Sequence, residues 1–422
     1  MQQVFFKSAW HLKLELAYGR SVVSLSLSSF AVVPEFREPE FAVDRGMFMR
    51  DLLLCLPEEK DKYRNVAIVV SDKTRLCGYP EYLPWLIGAL INRGATKKNT
   101  TIYIAYGTHP HQTEEESLNA YGPMYKEFHF VHHDCRDKTL FEDLGITRRG
   151  TRIMMRKDIL KCTLLLTFGA ISHHYFAGYG GGRKLLFPGL GAREAIYHNH
   201  SLFLDPNTRS LSAGCQPGNL GGNPLAEDLH EIENRMPPRI SIHGILNASG
   251  KVCLLFSGKN YSDYLSACHV HDGFYRLNSP QQYDLVVASS GGYPKDINFI
   301  QAHKSIEHAM GAVKDGGTVI VLGECRDGVG NANFLPWFEY GASCDMEPHV
   351  RKSDKVYSQT AYATRLKAER CKIFFVSGLE ESDVRKTGLI PKKTLREAID
   401  AANDGREKLC YVIPNGSTTL IS

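Results

Sequence analysis

The sequence predicts an α/β protein of two domains, each with a mostly parallel sheet flanked by helices. Apolar strand-like runs alternate with helix-like segments along most of the chain, which is typical of parallel sheets covered by helices. The chain has 422 residues, whereas single hydrophobic cores stop growing near about 250–300 residues. Polar clusters rich in histidine follow several of the strands, and ligand sites in such sheets form outside the carboxyl ends of the strands.

The first alternating series lies between residues 66 and 168. Its predicted strands are short apolar runs, namely Val66–Val70, Thr101–Ala105, Phe128–Val131 and Thr163–Phe168. A helix is predicted from Pro80 to Arg93, where Gly94 would end it. Thr113 and Glu116 have the spacing of a capping box, so we expect a second helix to begin there.

A second series begins near residue 283. It predicts helices over 299–313 and 394–403, and strands at Asp284–Ala288, Thr318–Leu322, Lys372–Val376 and Leu409–Ile413. The domain boundary is expected near Asp272–Tyr283, with an N-terminal domain of residues 1–275 and a C-terminal α/β domain of residues 280–405. The tail, residues 406–422, is expected to return to the N-terminal domain. The first 60 or so residues have a weaker pattern, with a strand predicted at Ser21–Leu25.

The composition is that of an ordinary soluble globular protein and excludes several classes. Hydrophobic residues make up 43% and charged residues 23% of the chain, and the formal net charge is +4. Without dense Lys/Arg runs, this charge does not indicate nucleic-acid binding. No apolar run reaches the ~18 residues of a membrane span, and the first ten residues lack a signal-peptide pattern. Eleven cysteines with no C-x-x-C pair predict reduced thiols and a cytoplasmic protein.

Three polar clusters follow predicted strands. They are Ser71–Arg75, Gly107–His111 and Ser172–His174, and nine of the seventeen histidines lie between His109 and His200. Imidazole transfers protons near neutral pH and ligates metals, and an arginine can bind a carboxylate in a bidentate manner. From these residues alone, each cluster could equally be a solvated surface loop with local ion pairs and no role in binding or catalysis.

A glycine run followed by an Arg-Lys pair, Gly180 to Lys184, predicts an anion-binding loop. Glycine lets backbone N–H groups approach an anion closely, and lysine binds phosphate or forms a covalent bond. The run is not a Walker loop, because its spacing differs and Leu185 follows the lysine. The residues therefore favour a phosphate-bearing ligand, although a glycine run by itself is often only a flexible turn.

Over nearly its whole length, the chain resembles the nickel-pincer-dependent lactate racemase family. The resemblance rests on five blocks in a fixed order: S-D-K-T-R at 71–75, G-T-H at 107–109, H-Y-F-A-G with G-G-R-K at 174–184, His200, and G-G-Y-P-K-D-x-N with Q-x-x-K at 291–304. It implies an isomerase that acts on a 2-hydroxy acid.

The resemblance also implies a cofactor. This is nickel held by pyridinium-3,5-bisthiocarboxylic acid mononucleotide, the nickel-pincer nucleotide, covalently attached to Lys184 through a thioamide. His200 is the implied metal ligand. The further cofactor-binding residues that follow from the resemblance are Asp72, Gly181, Gly182 and Arg183. Enzymes that build the cofactor are the implied protein partners.

The implied mechanism is racemisation by transient oxidation, with His109 and His174 as the two proton-transfer residues. One histidine takes the hydroxyl proton while the α-hydride moves to the cofactor, and the planar 2-keto acid then receives hydride on its other face. Two bases are needed because each enantiomer presents its hydroxyl group to a different side. Arg75, Gln301 and Lys304 are the implied substrate-binding residues, and the site is expected in the cleft between the domains.

Two features leave the substrate open. Ile300 stands where an aromatic residue is expected in enzymes that act on lactate, and Tyr179 precedes three glycines where a serine is common. The alternatives are a simple 2-hydroxy acid and a longer or sugar-derived acid that undergoes 2-epimerisation. A zinc-dependent hydrolase built on His109, His111 and His174, and a non-catalytic mononucleotide- or metal-binding protein, are the competing classes.

Overall fold

The chain forms two compact units in a computed structural model that describes residues 6–9, 12–27, 30–35, 38–353 and 357–422. The first unit comprises Glu38–Pro206 and Ser212–Asp272, and the second comprises Met1–Arg37, Asn207–Leu211 and Gly273–Ser422. The chain therefore passes between the units more than once.

The described secondary structure alternates between strands and helices in both units. In chain order the strands are β1 (Phe6–Ala9), β2 (Leu12–Tyr18), β3 (Ser21–Leu27), β4 (Ala31–Pro34), β5 (Val66–Ser71), β6 (Thr100–Ala105), β7 (His129–His132), β8 (Phe141–Ile146), β9 (Arg152–Arg156), β10 (Leu164–Ala170), β11 (Ser172–His174), β12 (Gly178–Gly180), β13 (Arg239–Leu246), β14 (Val252–Gly258), β15 (Arg276–Leu277), β16 (Tyr283–Ser289), β17 (Val313–Leu322), β18 (Lys372–Val376), β19 (Ile390–Lys392), β20 (Cys410–Ile413) and β21 (Leu420–Ile421). The α-helices are α1 (Arg45–Cys55), α2 (Tyr79–Asn92), α3 (Glu114–Tyr121), α4 (Met124–Glu127), α5 (Arg193–Ser201), α6 (Pro224–Glu233), α7 (Tyr261–Tyr275), α8 (Phe299–Ala309), α9 (Ser343–Arg351), α10 (Ser358–Arg370), α11 (Glu381–Lys386) and α12 (Leu395–Ala402). Short 3₁₀ helices span Lys60–Tyr63, Lys97–Asn99, Lys138–Leu140, Ile159–Lys161, Gly182–Leu185 and Leu335–Tyr340.

The first unit is built on a six-stranded sheet with the order β14-β13-β10-β5-β6-β7. All neighbouring pairs are parallel except β13 and β14, which are antiparallel. Every residue of β5 is buried, as expected when helices cover both faces of a parallel sheet. The core around β5 includes Tyr79, Leu83 and Leu86 of α2. The predicted α/β architecture is confirmed for this unit.

The second unit has a seven-stranded sheet with the order β1-β4-β20-β16-β17-β18-β19. Its pairs are parallel except for β1 with β4. The hairpin β2–β3 packs its apolar residues, such as Leu16 and Leu25, into the same core as Val287 and Ile320 of the sheet. The predicted strand at residues 21–25 is therefore present, as the second half of this hairpin.

The strand pairing corrects the predicted domain limits. Residues 1–37 were assigned to the N-terminal domain, but β4 is hydrogen-bonded to β20 and belongs to the sheet of the second unit. The tail 406–422 was expected to return to the N-terminal domain, and this is wrong because β20 lies between β4 and β16 and β21 pairs with β15. The division between Asp272 and Gly273 falls at the start of the predicted boundary region.

Local sequence signals account for several helix limits. Thr113 caps α3 in a full capping box with Glu116, as predicted. The helix predicted over 299–313 ends earlier, at Ala309, because the chain must turn into β17, whose first residue Val313 pairs with Tyr283. Among the described residues, no helix has the length and apolar character needed to cross a lipid bilayer.

Candidate active site

The loop that follows β5 carries Asp72 and is fixed by a buried tyrosine of α2. Tyr79 donates its hydroxyl hydrogen to the carbonyl oxygen of Phe168 at 2.8 Å and accepts the backbone N–H of Ser71 at 2.9 Å. Phe168 lies in β10, the neighbour of β5, so this hydroxyl group joins the carboxyl ends of two central strands. These two hydrogen bonds fix the backbone position just before Asp72 relative to the sheet.

Asp72 orients His109 and holds a proton on one of its ring nitrogens. The two side chains approach to 2.6 Å between Oδ2 and Nδ1, and Asp72 is only 3% exposed. Burial raises the pKa of Asp72, but the hydrogen bond to His109 and the positive charges of His109 and Arg75 outweigh it and lower the pKa to about 2. The carboxylate is therefore ionised near neutral pH, accepts the Nδ1–H of His109, and leaves Nε2 as the basic nitrogen.

A second loop, after β6, brings His109 to this position. Gly107 has a φ of +55°, and its N–H donates to the carbonyl oxygen of Gly189 at 2.9 Å. A Cβ at Gly107 would approach the carbonyl oxygen of Pro188 to 3.4 Å. The loop after β6 is thus tied to the segment that follows Lys184, and glycine is the residue that suits this backbone conformation.

The hairpin β11–β12 carries the two adjacent histidines on opposite faces. Its register pairs His173 with Tyr179 and His174 with Gly178, and successive side chains of a strand point to opposite faces. The Nδ1 atom of His174 accepts the backbone N–H groups of Phe176 at 3.3 Å and Ala177 at 3.1 Å. These two donors assign the ring proton of His174 to Nε2, the tautomer opposite to that of His109.

Lys184 lies in a tight turn that the glycine run makes possible. Gly181 has φ 75° and ψ −168°, and its carbonyl oxygen accepts the backbone N–H of Lys184 at 3.0 Å. Desolvation by burial, followed by the positive charges of Arg75 and Arg183, holds the pKa of Lys184 well below its usual range. The lowered pKa raises the fraction of free amine, the nucleophilic form of lysine, while the residue as a whole keeps part of its surface exposed.

His200 lies on α5 and has the ring tautomer of a metal-ligating histidine. Its Nδ1 donates to the carbonyl oxygen of Ile196, one turn earlier, at 2.7 Å, so the lone pair lies on Nε2. Desolvation by burial, then the charge of Lys184, lowers the pKa of His200 to about 4, and the charges of His109 and Arg75 act in the same direction. A neutral imidazole with its other nitrogen satisfied by a carbonyl group is the form that binds nickel or zinc.

Arg183 is the strongest sign that this region binds an anion. The residue is 2% exposed, and none of the described residues provides a hydrogen-bond partner for its three guanidinium nitrogens. Its guanidinium carbon lies 5.7 Å from the ring centroid of Tyr261 and 5.5 Å from that of Tyr264. A buried guanidinium without a hydrogen-bonded partner is costly, and a phosphate group would supply the missing acceptors. The residues of this loop therefore fit the nucleotide that the sequence implies.

The predicted substrate-binding pair Gln301 and Lys304 lies in the second unit, on the first two turns of α8. Asn298 caps this helix by accepting the backbone N–H of Gln301 at 3.0 Å. Lys304 donates from Nζ to Oε1 of Gln301 at 2.9 Å, which confirms that the two side chains share one face of the helix. Their role in substrate binding stays a prediction.

Two family models match most of the chain. The model of the lactate racemase N-terminal domain matches residues 55–211. The model of the lactate racemase C-terminal domain matches residues 278–421. The chain belongs to the lactate racemase family. It is accordingly an isomerase of the racemase class.

Individual relatives agree with this assignment. A lactate racemase of Thermoanaerobacterium thermosaccharolyticum is 28% identical over 97% of this chain and 99% of its own length, and one of Lactiplantibacillus plantarum is 28% identical over 85% of each. The solved apoprotein structure of the former superimposes with a TM-score of 0.85, at 26% identity over 97% of this chain and 100% of that one. A protein from Thermotoga maritima shares the fold alone, with a TM-score of 0.65 at 15% identity over 92% and 99% of the two chains.

The competing zinc site is not assembled. His109, His111 and His174 do not bring their ligand atoms together in the described part of the chain, where the single group of three such side chains is His173, His271 and Asp272. His111 instead donates from Nε2 to the carbonyl oxygen of His133 at 2.8 Å. His271 and Asp272 were not among the residues predicted from sequence, although a histidine followed by an aspartate near the end of a helix is a signal that the sequence contains.

We predict that Gly181 tolerates no side chain whereas Gly180 does. A Cβ at Gly181 would lie 2.2 Å from the carbonyl oxygen of Ala170, and the backbone there has φ +75°. Gly181→Ala should therefore lower the free energy of unfolding by about 3 kcal/mol or more. Gly180→Ala is the matched control, because its Cβ would meet only the movable Ser172 Oγ, at 3.0 Å. Equal losses in the two variants by chemical denaturation would contradict this account.

Proposed function

We propose that this protein racemises or epimerises a 2-hydroxy acid at carbon 2 by reversible hydride transfer through a 2-keto acid. The observation that carries the proposal is the opposite placement of the ring protons in His109 and His174. His109 presents a basic Nε2 because Asp72 accepts its Nδ1–H, and His174 presents an Nε2–H because two backbone N–H groups occupy its Nδ1. One histidine is set to accept a proton and the other to donate one.

Proton transfer is assigned to these two residues. In one direction of the reaction, Nε2 of His109 takes the hydroxyl proton of the substrate, and the imidazolium that forms is stabilised by the Asp72 carboxylate. The Nε2–H of His174 donates to the oxygen of the product and supplies its proton, and the ring regains a proton from solvent as His109 releases its own, so that both imidazoles are neutral again after one turnover. The N–H groups of Phe176 and Ala177 hold the ring of His174 in the orientation that presents Nε2–H.

The nickel-pincer nucleotide is proposed as the cofactor, and three residues of the first unit would hold it. Lys184 would hold it through a thioamide, and desolvation of its side chain favours the free amine that such a bond requires. His200 would donate the lone pair of Nε2 to nickel, and Arg183 would bind the phosphate. When bound, the group supplies a reversible hydride acceptor, which no amino-acid side chain provides.

Arg75 is proposed to bind the carboxylate of the substrate. Its guanidinium group is exposed, and its Nη1 atom lies 3.5 Å from Nδ1 of His109 and 3.2 Å from the hydroxyl oxygen of Thr74. A planar guanidinium beside the general base can hold a carboxylate in a bidentate manner and so place the neighbouring hydroxyl group near His109. Gln301 and Lys304 are proposed as further substrate-binding residues on the basis of the family pattern.

The identity of the acid is proposed only as a class. The curated relatives are lactate racemases, which favours a simple 2-hydroxy acid such as lactate. Ile300 and Tyr179, which depart from the expected pattern, favour a longer or sugar-derived acid as the second candidate. Turnover of lactate and of gluconate by the same cofactor-loaded preparation separates the two.

We predict that the α-hydrogen stays on the substrate during turnover. Because hydride rather than a proton leaves carbon 2, racemisation of the preferred acid in D₂O should give product that retains its α-protium. Mass spectrometry or proton NMR of the product after about one half-conversion measures this directly. Product that contains solvent deuterium at carbon 2 would show deprotonation of that carbon and contradict the proposal.

We predict that the two histidines of the loop after β6, His109 and His111, differ in their effect on turnover. His109→Asn should lower kcat by about 10²–10⁴, the usual contribution of general acid–base catalysis, in protein that still carries the cofactor. His111→Asn is the control, since the side chain of His111 binds a backbone carbonyl group instead of Asp72. Steady-state rates normalised to nickel content provide the comparison, and comparable losses in both variants would remove His109 from its assigned role.

A further inference from the structure

Beside His174, a second group of side chains has the composition of a metal site. It consists of His173 on β11 with His271 and Asp272 on α7, and it is called the His173 cluster here. All three residues belong to the first unit. One ligand atom from each lies within 4.8 Å of the others. The proposed reaction uses none of these residues.

The strand register separates the His173 cluster from the catalytic histidine. His173 and Tyr179 are cross-strand partners and project from one face of the hairpin, whereas His174 projects from the other. The face with His173 is turned to the end of α7, because Asp272 accepts hydrogen bonds from both cross-strand partners. These run from His173 Nε2 to Oδ1 at 2.8 Å and from the Tyr179 hydroxyl to Oδ2 at 2.6 Å.

The low solvent exposure of the two histidines of the His173 cluster suits a bound metal ion better than a solvated ion pair. The side chain of His173 is 2% exposed and His271 is 6% exposed, so bulk water contributes little to their solvation. Their rings meet edge to face, with centroids 4.6 Å apart and an angle of 87° between the planes. Two imidazoles and a carboxylate at this separation can close around one ion by small side-chain rotations, since metal–nitrogen bonds are about 2.0–2.1 Å long.

We propose that His173, His271 and Asp272 bind one divalent transition-metal ion of the zinc type, at a site separate from His200. Two imidazoles with one carboxylate form a donor set that suits zinc, and a water molecule would complete the tetrahedron. The hydroxyl group of Tyr179 orients the carboxylate as an outer hydrogen-bond donor. The ion joins β11 to α7 and so braces the hairpin that carries His174. The proposal does not depend on the reaction or on the nickel cofactor.

The test uses the full chain produced in a host that lacks the cofactor pathway, stripped of metal with a chelator. Isothermal titration with Zn²⁺ should show one tight site per chain, with a rise in Tm on saturation. His173→Ala and His271→Ala should each weaken this site by at least about hundredfold, and Tyr179→Phe should weaken it by about tenfold. His111→Ala and His200→Ala are the controls and should retain the site.

Several outcomes overturn the proposal. The His173 cluster is not a metal site if the wild-type chain shows no tight Zn²⁺ site, or if the site survives in both His173→Ala and His271→Ala. Loss of the site in His200→Ala alone would assign the ion to His200 instead. Because alanine at a buried position can unfold the chain, the visible absorption of bound Co²⁺ in folded Tyr179→Phe is the second measurement. An affinity and a spectrum equal to those of the wild-type chain would also contradict the proposal.

Discussion

The desolvation of the Lys184 amine is the constraint on which the site depends. An ammonium group at this position would be poorly hydrated and would face two guanidinium groups, those of Arg75 and Arg183. Folding therefore lowers the pKa of Lys184 and shifts its protonation equilibrium toward the neutral amine, which is the reactive form. Desolvation is also the main reason why the pKa of His200 is low, whereas the hydrogen bond to His109 and the charges of His109 and Arg75 lower the pKa of Asp72 in spite of its burial. An anionic nucleotide at this point would relieve the electrostatic cost that these groups impose.

The parallel sheet of the first unit explains how residues far apart in sequence come together. The loops after β5 and β6 emerge from the same edge of the sheet because these neighbouring strands run in the same direction. The hairpin β11–β12 follows β10, which is the other neighbour of β5. Backbone hydrogen bonds, such as that from Gly107 to Gly189, then connect the loop that carries His109, the proposed catalytic base, with the segment after Lys184.

Much of the fold could be predicted from the sequence, because its signals were local. Apolar runs marked the central strands, and Thr113 with Glu116 marked the start of a helix. The assignment of residues 1–37 and of the tail failed because strand pairing between distant segments leaves no periodic signal. The weak pattern of the first 60 residues gave no indication that β4 would pair with β20.

In the candidate site, too, local sequence patterns could be predicted from the sequence, whereas contacts between distant segments could not. The order of the motifs predicts His109, His174, Lys184 and His200 as site residues, since each stands in a short block with recognisable neighbours. The tautomers of His109 and His174 could not be read from sequence, because they depend on the Asp72 carboxylate and on two backbone N–H groups. The burial of Arg183 and the meeting of His173 with Asp272 likewise required the packing of α7 against the glycine loop and the hairpin.

We propose that Lys184 is the residue to which the cofactor is covalently attached. The most direct measurement is the mass of the peptide that contains Lys184, in protein co-produced with the cofactor-building enzymes and nickel. We expect a mass increase on Lys184 that matches the pincer nucleotide and disappears in Lys184→Ala, while Lys161→Ala, at a residue outside the site, keeps it. An unmodified Lys184, in a host that loads a known lactate racemase under the same conditions, would contradict the account.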